Sequence, residues 1–300
     1  MARLSPPVQR WLLAGSIALL GAATPSLVHA QITSSGSPGS GSSTSFAGWN
    51  IGYALPSGWR IGQSLGRLQI LASNSDAGAI FVAPGLYGGP EDAIADLSAF
   101  YQQMQMQAFP VEAPRETNIG GLRALTATYA SYDQMGRIVH GRYIALFSPH
   151  GTGVNMLAMT TPEQMAQLGA TLGRLAESVK VSAPNVNRQA IAQLAGRWIY
   201  YDGKSNPTTT SSGGSSRSHE EWVVFDGRGG YQWQSATMFS VSTPGMSAGG
   251  ASGSSENADH GTYTVIGNTL VFKGTKGQLA VDFQTDGQRL MAAGKTFVRQ

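Results

Sequence analysis

From Trp49 the chain alternates, with Trp49, Ile51, Tyr53 and Leu55 separated by small or polar residues, which is the period of a half-buried strand. Pro56-Ser57-Gly58 turns the chain, and apolar runs follow at 68–72 and 79–83, divided by a turn-rich stretch at 73–78. The period becomes helical after Gly88-Gly89-Pro90-Glu91-Asp92. There proline suits the first helical position and the two acids complement the positive end of the helix dipole. Ile94, Leu97, Tyr101 and Met104 then share one face. Strand-like runs return at 122–131, 137–147 and 153–159. A second helix opens at Thr161-Pro162-Glu163-Gln164, a capping-box pattern, and carries Met165, Leu168, Leu172 and Leu175 on its apolar face. Val179 and Val181 leave it as a strand. Runs of strands, each followed by a helix, predict an α+β sandwich.

Beyond residue 183 the pattern changes. A short helix is predicted over 188–195, and from Gly196 short alternations succeed one another at 197–201, 220–225, 231–240, 261–265, 269–273, 278–283, 288–291 and 295–299. Asp226-Gly227, Gly267-Asn268, Lys276-Gly277 and Asp286-Gly287 are hairpin signals between them. Short strands at this spacing predict a small antiparallel up-and-down β-barrel or sandwich. Ser/Gly/Thr-rich stretches at 202–218 and 241–259 read as loops without defined shape.

The first thirty residues read as a secretory leader. Arg3 and Arg10 supply the positive flank, Trp11 to Ala23 the apolar core, and Val28-His29-Ala30 a small-x-small cleavage site ahead of Gln31. The apolar run of 13 residues falls short of the ~20 a membrane-spanning helix needs. The domain boundaries read as a signal peptide at 1–30, a Ser/Gly linker at 31–45, an α/β domain at 46–183, a linker with a short helix at 184–195, and a barrel domain at 196–300. Without Arg3 and Arg10 the mature chain holds 18 Lys and Arg against 17 Asp and Glu, a net charge of +1. No basic run suits nucleic acid. With no cysteine in the chain, a lipid anchor on cysteine, disulfides, a thiol nucleophile and a cysteine zinc site are all excluded.

The order strand, Leu55-Pro56-Ser57-Gly58-Trp59, two strands, helix, meander and long helix resembles the PsbP-like α/β/α sandwich family, whose hallmark is an LPxGW segment after the first strand. The likeness runs from about Gly48 to Val181. It implies a non-catalytic extrinsic, accessory or binding protein and transfers no functional residue; Trp59 reads as core. The second domain is similar to a minimal lipocalin-like (calycin) β-barrel, with Gly196-x-Trp198 at the start of its first strand. In that family the tryptophan closes one end of the barrel and an arginine of the last strand packs across it. The resemblance gives Arg299 that role, by a cation–π contact.

Candidate chemistry is sparse. His219-Glu220-Glu221 lacks a second histidine at metal-site spacing and reads as a solvated strand edge; His140 reads as a surface stripe, and His150 and His260 lie beside turns. No G-x-S-x-G nucleophile elbow occurs. Gly203-Lys204-Ser205 is no P-loop, because Trp198 stands where its first glycine belongs, and Glu91 and Asp92 would repel a phosphate at Gly88-Gly89. The aromatic residues Trp222, Tyr231 and Trp233 read as barrel core, with lining of a ligand-holding mouth as the sharper alternative.

The expectation is therefore an exported, soluble, non-catalytic binding or accessory protein of the bacterial cell envelope, periplasmic or secreted, without cofactor or metal. Its partner would be an envelope protein or a small apolar or carbohydrate ligand, with no nucleic acid and no integral membrane segment in the mature chain. A ligand carrier using the barrel is the alternative, and an envelope hydrolase the last.

Overall fold

The computed structural model describes residues 43–74, 78–133, 136–206, 214–242, 250–275 and 277–300. The predicted leader and most of the predicted linker lie outside the described residues. The chain divides between Asn185 and Val186 into two compact units.

In the first unit, β1 (Ser43–Phe46), β2 (Ile51–Ala54) and β10 (Lys180–Val181) form a three-stranded sheet. Ser43–Ser45, expected to be linker, are instead strand. Apolar patterning does not mark them, because Ser43–Phe46 pairs in register with Ile51–Ala54 through its backbone and only Phe46 is buried. Seven antiparallel strands make the main sheet: β3 (Trp59–Leu65), β4 (Leu68–Ser73), β5 (Ala79–Leu86), β6 (Ala108–Ile119), β7 (Leu122–Tyr132), β8 (Ile138–Phe147) and β9 (Thr152–Thr160), in the order β3-β4-β5-β9-β8-β7-β6. Helix α1 (Pro90–Gln103) lays Ala93, Leu97 and Tyr101 against Leu125, Ala127, Tyr143 and Leu157 on one face. Helix α2 (Met165–Glu177) covers the other face, where Gly169 approaches Arg142, the neighbour of Tyr143 that points the opposite way. The result is an α/β/α sandwich that resembles the PsbP-like fold.

The LPxGW segment has a local cause. The Trp59 amide donates to the Pro56 carbonyl at 3.0 Å across a turn in which Gly58 has φ +79°, so glycine meets the left-handed position and Trp59 is delivered into the core. The sequence pattern does not mark strand β6. Pro110 and Pro114 argue against a ladder, but this is an edge strand, exposed in all but its two end residues and bulged around Glu112, where prolines are tolerated and discourage further pairing.

The second unit is a closed antiparallel barrel of eight strands: β11 (Gly196–Asn206), β12 (Gly214–Phe225), β13 (Gly230–Ser242), β14 (Gly250–Ile266), β15 (Thr269–Gly274), β16 (Gly277–Thr285), β17 (Arg289–Ala292) and β18 (Lys295–Arg299). The Ser/Gly-rich stretches read as shapeless loops are largely strand. Their backbones continue the β11–β12 and β13–β14 ladders in unbroken register, which no apolar side chain is needed to maintain; residues 207–213 and 243–249 lie outside the description. Asp226 and Asp286 each accept two backbone N–H bonds at their hairpins, which hold both carboxyls below the usual carboxylate range. Helix α3 (Arg188–Gln193) is capped by Asn187, whose side chain accepts from the Ala190 amide at 2.9 Å. Its residues Ala190 and Ile191 pack on the barrel core, so α3 is part of this unit rather than of a linker.

Candidate functional site

The two ends of the barrel differ in chemistry. At the α3 end the interior is apolar and sealed. Trp198 is fully buried and donates its indole N–H to the Leu194 carbonyl at 2.7 Å. The Tyr263 hydroxyl donates to the Ile191 carbonyl at 2.9 Å, and burial pushes that phenol up to about 12. The Arg299 guanidinium lies 5.1 Å from the Trp198 ring centroid and donates to the carbonyls of Gly287 (3.1 Å), Gln193 (3.2 Å) and Ala195. Gly196 has φ +124°, which a side chain rarely adopts, and its Cβ position lies in van der Waals reach of the Arg299 guanidinium. Gly196, Trp198 and Arg299 thus form one closed end.

Along β12 the inward positions are Phe225, Val223, Glu221 and His219, so apolar filling gives way to charge midway through the barrel. Glu221 is 3% exposed. Its Oε1 receives the Lys295 ammonium from β18 and lies 2.6 Å from His219 Nε2. His219 Nδ1 is 2.7 Å from Thr237 Oγ1 on β13. Tyr200 of β11 completes the group, its ring centroid 6.2 Å from that of His219 and 5.2 Å from Lys295 Nζ. Burial, then the negative charges of Asp202 and Glu221, push the Tyr200 phenol up and keep it neutral. Glu221 Oε2 is buried and has no hydrogen-bond partner among the described residues. Side-chain exposure rises from 4% at Glu221 to 13% at Lys295 and 23% at His219.

The structure does not bring Trp222, Tyr231 and Trp233 together. Trp222 faces outward, its ring 5.1 Å from the Arg197 guanidinium, because it alternates with the inward Glu221 and Val223. Tyr231 and Trp233 face inward and are buried. Tyr231 donates to Asp259 Oδ2 at 2.7 Å and packs edge-on against Phe272 with centroids 4.9 Å apart. Burial alone would raise the Asp259 carboxyl, but hydrogen bonds from Thr275 and Tyr231 outweigh it and hold the group below its usual range. His219 and Glu221 are not the solvated edge they seem in sequence. The signal that finds them is their parity: His219-x-Glu221-x-Val223-x-Phe225 continues the face of two core residues.

In the first unit, Tyr87 donates to Asp96 Oδ2 at 3.0 Å, and Tyr143 donates to Asn155 Oδ1 at 2.6 Å. Burial raises the Asp96 carboxyl, opposed by the Arg67 charge. Among the described residues no group of three or more His, Cys, Asp or Glu side chains is placed to hold a metal ion. No helix of the described residues is long and apolar enough to cross a membrane.

Fold and site together define two units, an α/β/α sandwich and an eight-stranded antiparallel barrel with charged side chains midway along its interior. No protein-family profile matches the chain, and no curated protein does. Among solved structures the chain is similar to cyanobacterial PsbP (CyanoP) from Synechocystis sp. PCC 6803, with TM-score 0.36 and 16% identity over 50% of this chain and 98% of that one. It is also similar to LpqN, involved in cell envelope biogenesis of Mycobacterium tuberculosis, with TM-score 0.34 and 14% identity over 47% and 85% of the two chains. A third is a protein of Bacteroides thetaiotaomicron, with TM-score 0.37 and 8% identity over 56% of this chain and 54%, about half, of that one.

Proposed function

We propose that the chain is an exported, non-catalytic binding protein of the bacterial envelope whose barrel holds a small ligand. The observation that carries this reading is Glu221 Oε2, a buried acceptor with no partner in the described protein. A buried acceptor left unmade costs ~1–3 kcal/mol, more when charged, and a bound donor returns that cost. The test is native mass spectrometry of the protein recovered from an envelope fraction. The expected species begins at Gln31 and carries a small adduct that the Glu221→Gln variant lacks. An unprocessed N-terminus refutes export; an adduct retained by the variant refutes the site.

The hydrolase reading has one observation in its favour: Thr237, His219 and Glu221 are linked as a hydroxyl, a base and a carboxylate would be in a nucleophilic relay. Against it, Thr237 sits between two continuous ladders, paired with His219 and with Ser255, so the backbone N–H groups around it are committed to strand pairing and none is spare for an oxyanion hole. Hydrolysis of p-nitrophenyl acetate by the protein is therefore expected to be unchanged in Thr237→Val. A drop of tenfold or more would establish the enzyme reading instead.

A further inference from the structure

The outer wall of the barrel carries an apolar face that the chain leaves exposed. On β11 Trp198 and Tyr200 pack into the core, so Ile199 and Tyr201 point outward. By the same alternation Val298 of β18 stands opposite the buried Phe297, and Met291 of β17 opposite the buried Leu290. Pairing sets Trp222, Ile199, Val298 and Arg289 in one row across four strands. In the next row Tyr201 lies beside Glu220, and Met291 beside Thr296. Tyr201 is 66% exposed, Val298 54% and Met291 46%. Outward positions of a sheet with one buried face are ordinarily polar. Large apolar residues spread across four strands of a closed wall mark a contact surface.

We infer that this face pairs with the same face of a second copy of the chain. Charge selects the occupant. Glu220 stands at the β12 margin and Arg289 at the β17 margin, both exposed. Neither forms an ion pair among the described residues, although the Arg289 charge helps to hold the Asp286 carboxyl low. A two-fold axis running along the wall between β11 and β18 lays β12 of one copy over β17 of the other. Ile199 then meets Val298 of the second copy. Glu220 of each copy stands one row, ~7 Å along the strand, from Arg289 of the other, a distance an arginine side chain spans. Opposite charges at opposite margins of one apolar band make the face complementary to itself, as a two-fold interface requires. An anionic lipid surface would meet Glu220 as a like charge.

Sedimentation velocity of the full mature chain tests this. A face four strands wide is at the small end of specific interfaces, so a dimer dissociating at ~1–100 µM is expected. Glu220→Arg and Arg289→Glu each place like charges at both margins and should weaken the dimer at least tenfold. An equimolar mixture of the two variants should dimerise as the unaltered chain does, because the mixed pair again has opposite charges at both margins. Val298→Asp, at an exposed position, should abolish the dimer with an unchanged circular dichroism spectrum. A chain monomeric throughout that range, variants that dimerise like the unaltered chain, or a mixture no better than its components would each overturn the assignment. A monomeric chain that floats with phosphatidylglycerol vesicles would give the face to a membrane instead. Glu220, Arg289 and Val298 point away from the barrel interior, so none of these results bears on the binding reading above.

Discussion

Arg299 ties the last barrel strand to the end of α3, and its removal should loosen that end alone. The guanidinium lies over the buried Trp198 ring and bonds three carbonyls, two of them, Gln193 and Ala195, at the C-terminal end of α3. The cation–π contact is worth ~1–2 kcal/mol at a part-desolvated site. A charge-assisted hydrogen bond contributes ~1.5–3 kcal/mol singly, but the three share one group and do not add in full. Arg299→Ala is therefore expected to cost about 3–4 kcal/mol. Arg299→Lys keeps a cation for the indole but lacks the planar fork that reaches separate carbonyls, and should cost about half as much. Hydrogen exchange followed by mass spectrometry on the full mature chain reads this locally. The amides of Ile191 and Leu194, which close the turns of α3, should lose about a hundredfold to several hundredfold protection in the alanine variant, at ~1.4 kcal/mol per tenfold. Strands β8 and β9 of the first unit should be unchanged. A loss under threefold at α3, or an equal loss in both units, would refute the reasoning.

Asp96 supplies a pH prediction. Its folded value is raised above 3.8 by burial, so the folded state binds the proton more readily, and the stability this contributes at low pH is lost as pH rises through the folded value. Asp96→Asn, which keeps an oxygen for the Tyr87 hydroxyl, should raise the melting temperature at pH 7 and lose that advantage as pH falls toward 4; an offset constant with pH would contradict it. Two glycines predict opposite signs. A Cβ at Gly261 would stand 2.1 Å from the Lys273 carbonyl oxygen, so Gly261→Ala should destabilise the barrel by ~2–4 kcal/mol in denaturant titration. Gly173 in α2 has nothing within 4 Å of its Cβ position, so Gly173→Ala should stabilise by ~0.5–1 kcal/mol through helix propensity, and destabilisation there would count against the described packing.

The elements that could be read from the chain are those whose side chains alternate. All eight barrel strands were visible as period-2 runs with turn residues between them, and α1 and α2 as apolar faces behind a proline. The elements that escaped carry their order in the backbone. Strand β1 is Ser-Thr-Ser with one buried phenylalanine, and β6 is an exposed edge holding two prolines. The outer lengths of β11 to β14 are Ser/Gly-rich yet paired without a break. A ladder needs a partner strand more than it needs a propensity, and the partner is not adjacent in the pattern.

The site divides along the same line. Alternation alone puts His219, Glu221, Val223 and Phe225 on one face and Trp222 on the other, and that much the residues determine by themselves. Which face is inside depends on closure of the sheet between β11 and β18, set by the pairing of Trp198 with Arg299 and Ile199 with Val298. Closure brings Lys295 to Glu221 across 74 residues of chain, lays Arg299 on Trp198, and leaves Glu221 Oε2 buried without a partner. Local periodicity records the period of burial but not its sign, because water and core are distinguished only once the barrel has an inside.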